Sequence, residues 1–267
     1  MKQAPSKKLI LLVTGATIFV ASLAFGITKV RSVMNDHKAT ATRMERMPQV
    51  MLWAWERPTD LRFINPKQTG VAFLAQSIRL RSGELEIRPR LQPLNLPDET
   101  RVMAVARVET DAVSKPQLSV QQRERLAGVI ANMAKLPNVS DIQIDFDATK
   151  SERAFYRDLI VDVRRRLPDD VSLSMTALAS WCTYDDWLSD LPIDEAVPML
   201  FRMAGDGKQI ARRLDRGDDF IASPCLHSYG ISTDEPRTNL SLARRLYVFN
   251  PDPWTEPAVR AILESRK

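Results

Sequence analysis

Short segments rich in aliphatic and aromatic residues recur along this chain from residue 50 onward, and amphipathic segments separate several of them. Apolar residues at helical spacing are clearest in Gln121–Leu136 and Ser151–Leu167. Strands that alternate with helices pair in parallel. The pattern therefore predicts an α/β fold with strands at Val50–Trp55, Gly70–Leu80, Val102–Val108, Asp141–Asp147, Val171–Ala177, Ala196–Met203, Phe220–Pro224 and Leu246–Phe249.

About eight such strands in a chain of this length favour a compact TIM-type (β/α)8 barrel, toward the short end of the normal range. An open doubly wound sheet is the alternative. Neither a G-x-G-x-x-G turn after the first strand nor a phosphate-binding P-loop is found in the sequence. Nucleotide binding is therefore not expected, and the sequence predicts no cofactor.

The N-terminal segment is typical of membrane delivery. Lysines stand within Met1–Lys8, and Leu9–Thr28 then runs without a charge over the length that a bilayer core requires of a helix. Small residues at Ser22–Ala24 also suit a cleaved signal peptide. Both readings remain open, and we favour the uncleaved anchor.

The predicted organisation has three parts, namely an anchor or signal helix at 1–34, a polar linker at 35–48 and the barrel at 49–267. A short lysine-bearing tail is hard to translocate, whereas a long following domain crosses readily. We therefore expect the barrel to face the periplasm or the cell exterior, with the membrane as a partner through the N-terminal helix.

The charge pattern argues against a nucleic-acid partner. The net charge is +5, but basic and acidic residues are interspersed along the chain. The densest basic stretch alternates with apolar residues around Ser82–Gly83, which predicts a β-hairpin with a basic face. Such a face could contact anionic lipid or polymer through Arg79, Arg81, Arg88 and Arg90.

The predicted strand at Asp141–Asp147 carries the most informative pattern. Its period of two sends Ile142, Ile144 and Phe146 to one face and polar residues to the other. Acids at the C-terminal end of a barrel strand occupy the place where such barrels hold their chemistry. We therefore select Asp145 and Asp147 as catalytic candidates and expect desolvation and mutual repulsion to raise the pKa of at least one.

Asp147 could instead cap the following helix. That helix has its own cap signature, however, because Thr149–Glu152 matches the reciprocal S/T-x-x-E capping box.

The stretch Ser140–Asp147 resembles the D-G-x-D-x-D-x-E strand of family-18 glycoside hydrolases, the chitinase-like barrels. The resemblance implies a glycan-cleaving barrel with Asp147 at the position of the catalytic Glu and Asp145 at that of the final Asp. The chain departs from the pattern at several positions. Ser140 replaces the first Asp, Gln143 replaces the middle Asp, and Asp147 is one methylene shorter than Glu.

Most of the chain after Trp53 is also similar to DUF3142, a bacterial family of domains of unknown function. That resemblance implies a hydrolase-like barrel and carries no activity with it. The segments that carry it are Ile142–Asp147, Met175–Cys182, Ser232–Pro236 and Phe249–Trp254.

Several other side chains fall where a barrel mouth is expected. Flat aromatic faces and amides suit sugar binding, although each of these residues could equally be structural. The candidate substrate-binding residues are Gln143, Trp53, Trp55, Trp181, Tyr229 and Trp254.

Cys182 and Cys225 are the only two cysteines. A disulfide between them is plausible in an exported domain, although the strands they follow are not adjacent. The cysteines and histidines show no paired ligand spacing, so no metal site is predicted.

Two function hypotheses follow. The first is a hydrolase of an extracytoplasmic glycan, with Asp147 as general acid and Asp145 orienting it or the substrate. The second is a catalytically inactive barrel that binds a polysaccharide or a cell-envelope partner through the same cleft. The sequence does not identify the sugar.

Overall fold

The computed structural model describes residues 43–237 and 239–266. Its strands are rich in β-branched and aliphatic residues and are buried along most of their length. In chain order they are β1 (Val50–Ala54), β2 (Thr59–Asp60), β3 (Thr69–Arg81), β4 (Glu84–Pro89), β5 (Leu94–Asn95), β6 (Val102–Thr110), β7 (Val139–Asp145), β8 (Ser172–Leu178), β9 (Glu195–Met199), β10 (Ser228–Ser232) and β11 (Arg245–Phe249).

Within these described residues, eight parallel strands close into a barrel in the order β1-β3-β6-β7-β8-β9-β10-β11. Closure comes from β1, which pairs in parallel with both β3 and β11. Strand β4 lies outside the ring and forms an antiparallel hairpin with β3. The predicted TIM-type barrel is therefore confirmed as a closed parallel α/β barrel.

The helices cover the outside of the barrel. They are α1 (Val120–Asn132), α2 (Arg153–Arg166), α3 (Ala179–Tyr184), α4 (Gly207–Asp215) and α5 (Glu256–Glu264). The first begins where the side chain of Ser119 accepts a hydrogen bond from the Gln122 amide. The apolar stripes of α1 and α2 pack against the strands, which confirms the two helices that the sequence predicted most clearly.

The two faces of the strands build different layers. One face packs against the helices and supplies the larger apolar core, which includes Ile142 and Ile144 of β7. The other face fills the barrel interior around Met51, Trp53 and Tyr247. The side chains of β7 therefore alternate between the helix-facing side and the barrel interior, as predicted.

The seventh predicted strand was placed wrongly. Phe220–Pro224 lies in a loop that leads into a 3₁₀ turn at Ser223–Leu226, and the strand itself is β10. Pro224 explains the difference, because proline suits the first turn of a helix and cannot donate to a strand ladder.

The predicted hairpin forms, but its face is not uniformly basic. Arg79, Arg81 and Arg88 pair with acidic side chains on and beside the hairpin. Arg90 turns inward and donates to the carbonyl oxygens of Ala54 (3.2 Å), Trp55 and Arg57 (2.6 Å). Its guanidinium therefore fixes the chain that follows β1 and does not contribute to an open basic surface.

The barrel unit begins at Arg43. Arg43 pairs with Asp194 at 2.6 Å, and the Arg245 guanidinium donates to the carbonyl oxygens of Met44 and Pro48. Residues 43–48, which were predicted as the end of the linker, thus pack against the barrel.

No helix within residues 43–237 and 239–266 has the length and apolar character needed to span a membrane. The predicted anchor or signal helix at 1–34 lies outside the described residues.

Candidate active site

A ladder of polar side chains joins β7 to β8 through the barrel interior. Each rung pairs a polar residue of β7 with a hydroxyl of β8. Buried polar groups are tolerated where they are paired, which is why this face of β7 need not be apolar. The rungs are Asp141 to Ser172 at 2.6 Å, Gln143 to Ser174 at 3.1 Å and Asp145 to Thr176 at 2.7 Å.

The uppermost rung reaches the mouth of the barrel at Asp145. Its Oδ1 accepts from the Thr176 hydroxyl, and its Oδ2 accepts from Nη1 of Arg107 at 3.0 Å. Arg107 lies opposite Asp145 in the register of β6 and β7 and also donates from Nε to Glu109 at 2.9 Å. With only 5% of its surface exposed, Asp145 is a buried anion held by two donors.

Arg107 and the carboxylates beside it stabilise each other's charged forms. Burial alone would lower the pKa of its guanidinium, but the carboxylates of Asp145 and Glu109 outweigh burial and raise that pKa. The hydrogen bond from Arg107 in turn lowers the pKa of Glu109. Arg107 therefore stays charged between two carboxylates.

Asp147 lies just past the end of β7, with its side chain open to the cavity at the barrel mouth. Burial, followed by the charge of Asp145, raises its pKa above the ordinary value of 3.8, while Arg107 opposes the rise. One carboxyl of the predicted pair is therefore shifted toward the protonated form.

The helix that follows does not use Asp147 as its cap. The Glu152 carboxylate accepts from the backbone N–H of Thr149 at 2.7 Å and from its hydroxyl at 2.8 Å. The reciprocal half of the predicted capping box is replaced by a backbone bond from the Glu152 N–H to the Thr149 carbonyl oxygen. Thr149 and Glu152 thus form this turn between themselves.

The two acids open into a cavity of about 430 Å³, and aromatic side chains form one wall of it. Phe201 and Phe249 stack with their ring centroids 5.8 Å apart and their planes parallel to within 1°. Trp53 and Trp55 extend this surface, at 6.2 Å from Phe201 and 6.3 Å from Phe249 respectively. Together they give a broad apolar surface beside two carboxyl groups.

Trp53 is the deepest of these aromatic residues. It is 4% exposed, and its indole N–H donates to the side chain of Gln143 at 2.9 Å. Gly230 of β10 makes room for it, since a Cβ there would lie 2.9 Å from the indole ring. Gln143, predicted to bind substrate, thus serves the buried ladder and does not line the cavity.

The remaining predicted aromatic residues are dispersed. Trp254 donates its indole N–H to the carbonyl oxygen of Trp53 at 3.0 Å and lines an adjacent cavity of about 240 Å³. Trp181 packs on Trp187, and Tyr229 packs on Phe220; both lie in the core outside the barrel. Tyr229 was predicted on the rim because the strand that contains it was placed too early in the sequence.

Several cavity residues were not predicted. Arg107 could have been found from the alternation of β6, which places Met103 and Val105 inside the barrel and predicts the same for Arg107. Arg202 follows β9 in a left-handed conformation at φ 50°, with its guanidinium 5.1 Å from the Phe249 ring centroid. The backbone N–H of Arg202 donates to the Glu235 side chain. A local sequence pattern does not reveal this contact, because the two residues are far apart in the sequence.

Cys182 of α3 and Cys225 of the 3₁₀ turn form a disulfide with their Cα atoms 5.9 Å apart. The intervening loop folds back, because the amides of Ile221 and Ala222 donate to the Cys182 carbonyl oxygen. Cys182 follows β8 and Cys225 follows β9, and these two strands are neighbours in the barrel, so the predicted separation of the two cysteines by an intervening strand was wrong.

Comparison with known proteins gives likenesses of structure alone. No family model matches the chain, and no curated protein sequence does, so the resemblance to DUF3142 stays a prediction. The structure is similar to the spore cortex-lytic enzyme SleL of Bacillus cereus, with a TM-score of 0.44 and 16% identity over 70% of this chain and 52% of that one.

Two further solved structures are also similar. A GH18 chitinase from Pseudoalteromonas aurantia has a TM-score of 0.49 and 10% identity over 80% of this chain and 99% of that one. The chitinase domain of the spore coat protein CotE from Clostridium difficile has a TM-score of 0.43 and 16% identity over 67% of this chain and 64% of that one. The chain thus spans about half of SleL.

Proposed function

We propose that this barrel hydrolyses a glycan, with Asp147 as the general acid. The observation that carries the proposal is the pairing of two unlike carboxyl groups at the barrel mouth. Asp145 is buried and held by Arg107 and Thr176, while Asp147 faces the cavity with a raised pKa. Environments that separate two carboxyl groups in this way are typical of acid catalysis.

The proposed reaction adds water across a glycosidic bond. The Asp147 carboxyl donates its proton to the bridging oxygen as the bond from that oxygen to the anomeric carbon breaks. Positive charge develops on the sugar ring, and the fixed negative charge of Asp145 stabilises it. Water supplies the new hydroxyl at the anomeric carbon, and its released proton restores Asp147.

The aromatic wall supports sugar as the substrate class. Trp55, Phe201 and Phe249 are partly exposed in the cavity and offer flat apolar faces, and sugar rings carry C–H groups on the faces that pack against such surfaces. The motif at Ser140–Asp147, which resembles that of family-18 glycoside hydrolases, points to the same chemistry.

A catalytically inactive, glycan-binding barrel is the second candidate. The observation that favours it concerns Gln143, which replaces an acid of the motif. The side chain of Gln143 accepts a hydrogen bond from Trp53 and donates one to Ser174. Asp147 is also shorter than the glutamate of the motif, so it reaches less far into the cavity.

One experiment separates the two candidates. Purified protein is incubated with chitin, peptidoglycan and plant glycans, and both released reducing ends and retained protein are measured. Hydrolysis predicts reducing ends from the wild type and none from Asp147→Asn, while Asp190→Asn, an exposed residue outside the cavity, stays active. If all three proteins are retained by a glycan and none releases reducing ends, the glycan-binding barrel is favoured. If no protein is retained and no reducing ends are released, both candidate functions are excluded.

We also propose that the barrel acts outside the cytoplasm and stays attached to the membrane. The disulfide supports the compartment, because such bonds persist in oxidising environments. The uncharged run at Leu9–Thr28 supports the attachment. Alkaline phosphatase fused after Lys267 should be active in the membrane fraction. If that fusion is inactive and a reporter that works only in the cytoplasm is active when fused at the same position, the proposed topology is wrong.

A further inference from the structure

Strand β4 forms an edge of the large sheet, outside the closed ring. Within the part of the chain that the structure describes, it pairs with β3 and with no other strand. Leu85 of β4 lies opposite Leu80, whose carbonyl oxygen accepts from Asp111 on the other side of β3. Since hydrogen bonding alternates along an antiparallel pair, the backbone N–H and C=O groups of Leu85 and Ile87 point away from β3.

This edge is open to solvent. The exposed residues of β4 include Ile87, which keeps 41% of its surface exposed, and Pro89 beyond it. Unpaired N–H and C=O groups along a strand edge can accept a further strand. Pro89 has no N–H to donate, so it closes one end of the usable ladder. The free edge therefore suits a short partner strand that pairs from Leu85 to Pro89.

The charges along β4 identify the partner strand that fits. Acidic Glu84 and Glu86 occupy its first half, basic Arg88 occupies its second half, and Ile87 lies between them. A partner strand that runs antiparallel complements this order when it also begins acidic and ends basic. A second copy of β4, related by a two-fold axis through Ile87, has that order. Glu86 of each copy then lies opposite Arg88 of the other copy.

The same charges disfavour the neighbouring registers. With Glu86 or Arg88 on the axis instead, two like charges would lie opposite each other. With Ile87 on the axis, the exposed Ile87 side chains meet, and the two Ile87 backbones exchange N–H···O=C bonds. Glu86 and Arg88 also pair within one chain, but Arg88 is 65% exposed, so its guanidinium keeps donors for the second copy.

We propose that two copies of this chain associate edge to edge through β4, with Ile87 on the two-fold axis. The sheet of one barrel then continues through both β4 strands into the sheet of the other. Backbone bonds at Ile87 supply the pairing, and the reciprocal contacts between Glu86 and Arg88 set its register.

The oligomeric state of the full-length protein in detergent tests this pairing. It is measured by sedimentation equilibrium in density-matched buffer over a range of protein concentrations. We expect a reversible monomer–dimer equilibrium for the wild type. Glu86→Arg and Arg88→Glu each place like charges opposite each other twice, so each should weaken dimerisation about tenfold. Glu264→Arg makes the same charge change as Glu86→Arg at an exposed position on α5, and it should leave dimerisation unchanged.

A mixture of the two β4 variants separates a broken interface from a damaged fold. In a mixed dimer, the two basic side chains of the Glu86→Arg copy lie opposite the two acidic side chains of the Arg88→Glu copy. We therefore expect an equimolar mixture to recover the dimerisation of the wild type. The chain that carries both substitutions should also dimerise with itself, because its charge order is reversed and still self-complementary.

Each contrary result is decisive. A wild type that stays monomeric at every concentration would overturn the proposal and leave the edge to a partner of another kind. A dimer that neither β4 variant weakens would place the interface elsewhere on the protein and would also overturn it. Loss of the dimer in both variants without recovery on mixing would overturn the pairing centred on Ile87.

Discussion

The guanidinium of Arg107 lies 3.0 Å from the carboxylate of Asp145, across the pairing of β6 with β7. This contact changes what is expected of the two acids. The repulsion predicted between Asp145 and Asp147 is partly offset by a cation on the neighbouring strand. Replacing Asp145 with Asn would leave Arg107 without one of its two carboxylate partners, so we expect a loss of stability and not the gain that simple repulsion would give.

We predict that Arg107→Met destabilises the protein by about 1–3 kcal/mol, because the buried Asp145 carboxylate loses a charged donor. Arg107→Lys keeps the charge and should recover part of the loss. Urea denaturation followed by circular dichroism measures both. A Met variant as stable as the wild type would show that Thr176 alone satisfies Asp145.

The position of the acids was predictable from the sequence, but their partners were not. Alternation along β7 places Asp145 on the inner face because side chains on a strand point to opposite sides by turns. Which donor meets Asp145 depends on the register between strands, and that register is set by the whole closed ring. Thr176 and Arg107 come from different neighbouring strands, so no local pattern joins them.

The positions of Trp181 and Tyr229 were predicted wrongly because they depend on more than the local sequence pattern. Trp181 was assigned to the mouth because it follows a strand, yet it lies within the short helix α3, where it is buried and packs against Trp187. Tyr229 was assigned from a strand predicted several residues too early. Tertiary packing decided both positions, and a periodicity argument does not contain that information.

The disulfide gives a second prediction. Replacing Cys182 and Cys225 together with serine should lower the free energy of unfolding by about 4 kcal/mol, the entropic cost expected for a loop of about 43 residues. Denaturation with and without reductant measures the effect. Reductant should weaken the wild type and leave the double variant unchanged; two alkylatable thiols in native protein would contradict the bond.

Gly230 gives a third prediction, because it faces the ring of Trp53. An added Cβ would lie 2.9 Å from the indole and 3.3 Å from Val197, so Gly230→Ala should shift Trp53 and cost about 1–3 kcal/mol through overpacking. Tryptophan fluorescence and melting temperature report the shift. Gly128→Ala is the matched control, since nothing lies within 4 Å of its added Cβ and alanine favours the helix there.

The raised pKa of Asp147 gives a prediction with a definite sign. A carboxyl whose folded pKa lies above its ordinary value of 3.8 binds its proton more tightly in the folded state. It therefore contributes most to stability at acidic pH, and this contribution is lost as the pH rises from about 3.8 through the folded pKa. Asp147→Asn cannot titrate, so it should lack this decline. The stability of the variant relative to the wild type should thus increase across that window and then level off.

Melting temperatures of the wild type and Asp147→Asn, measured from about pH 3 to about pH 8, test this sign. The same proton is the one that the proposed hydrolysis uses, so wild-type activity should fall as the pH rises through the folded pKa of Asp147. Asp190→Asn, at an exposed position outside the cavity, is the control for removing one carboxylate. A constant difference between wild type and Asp147→Asn at every pH would mean that the Asp147 carboxyl titrates as it does in the unfolded chain. Asp147 would then hold no proton near neutral pH and could not serve there as the general acid.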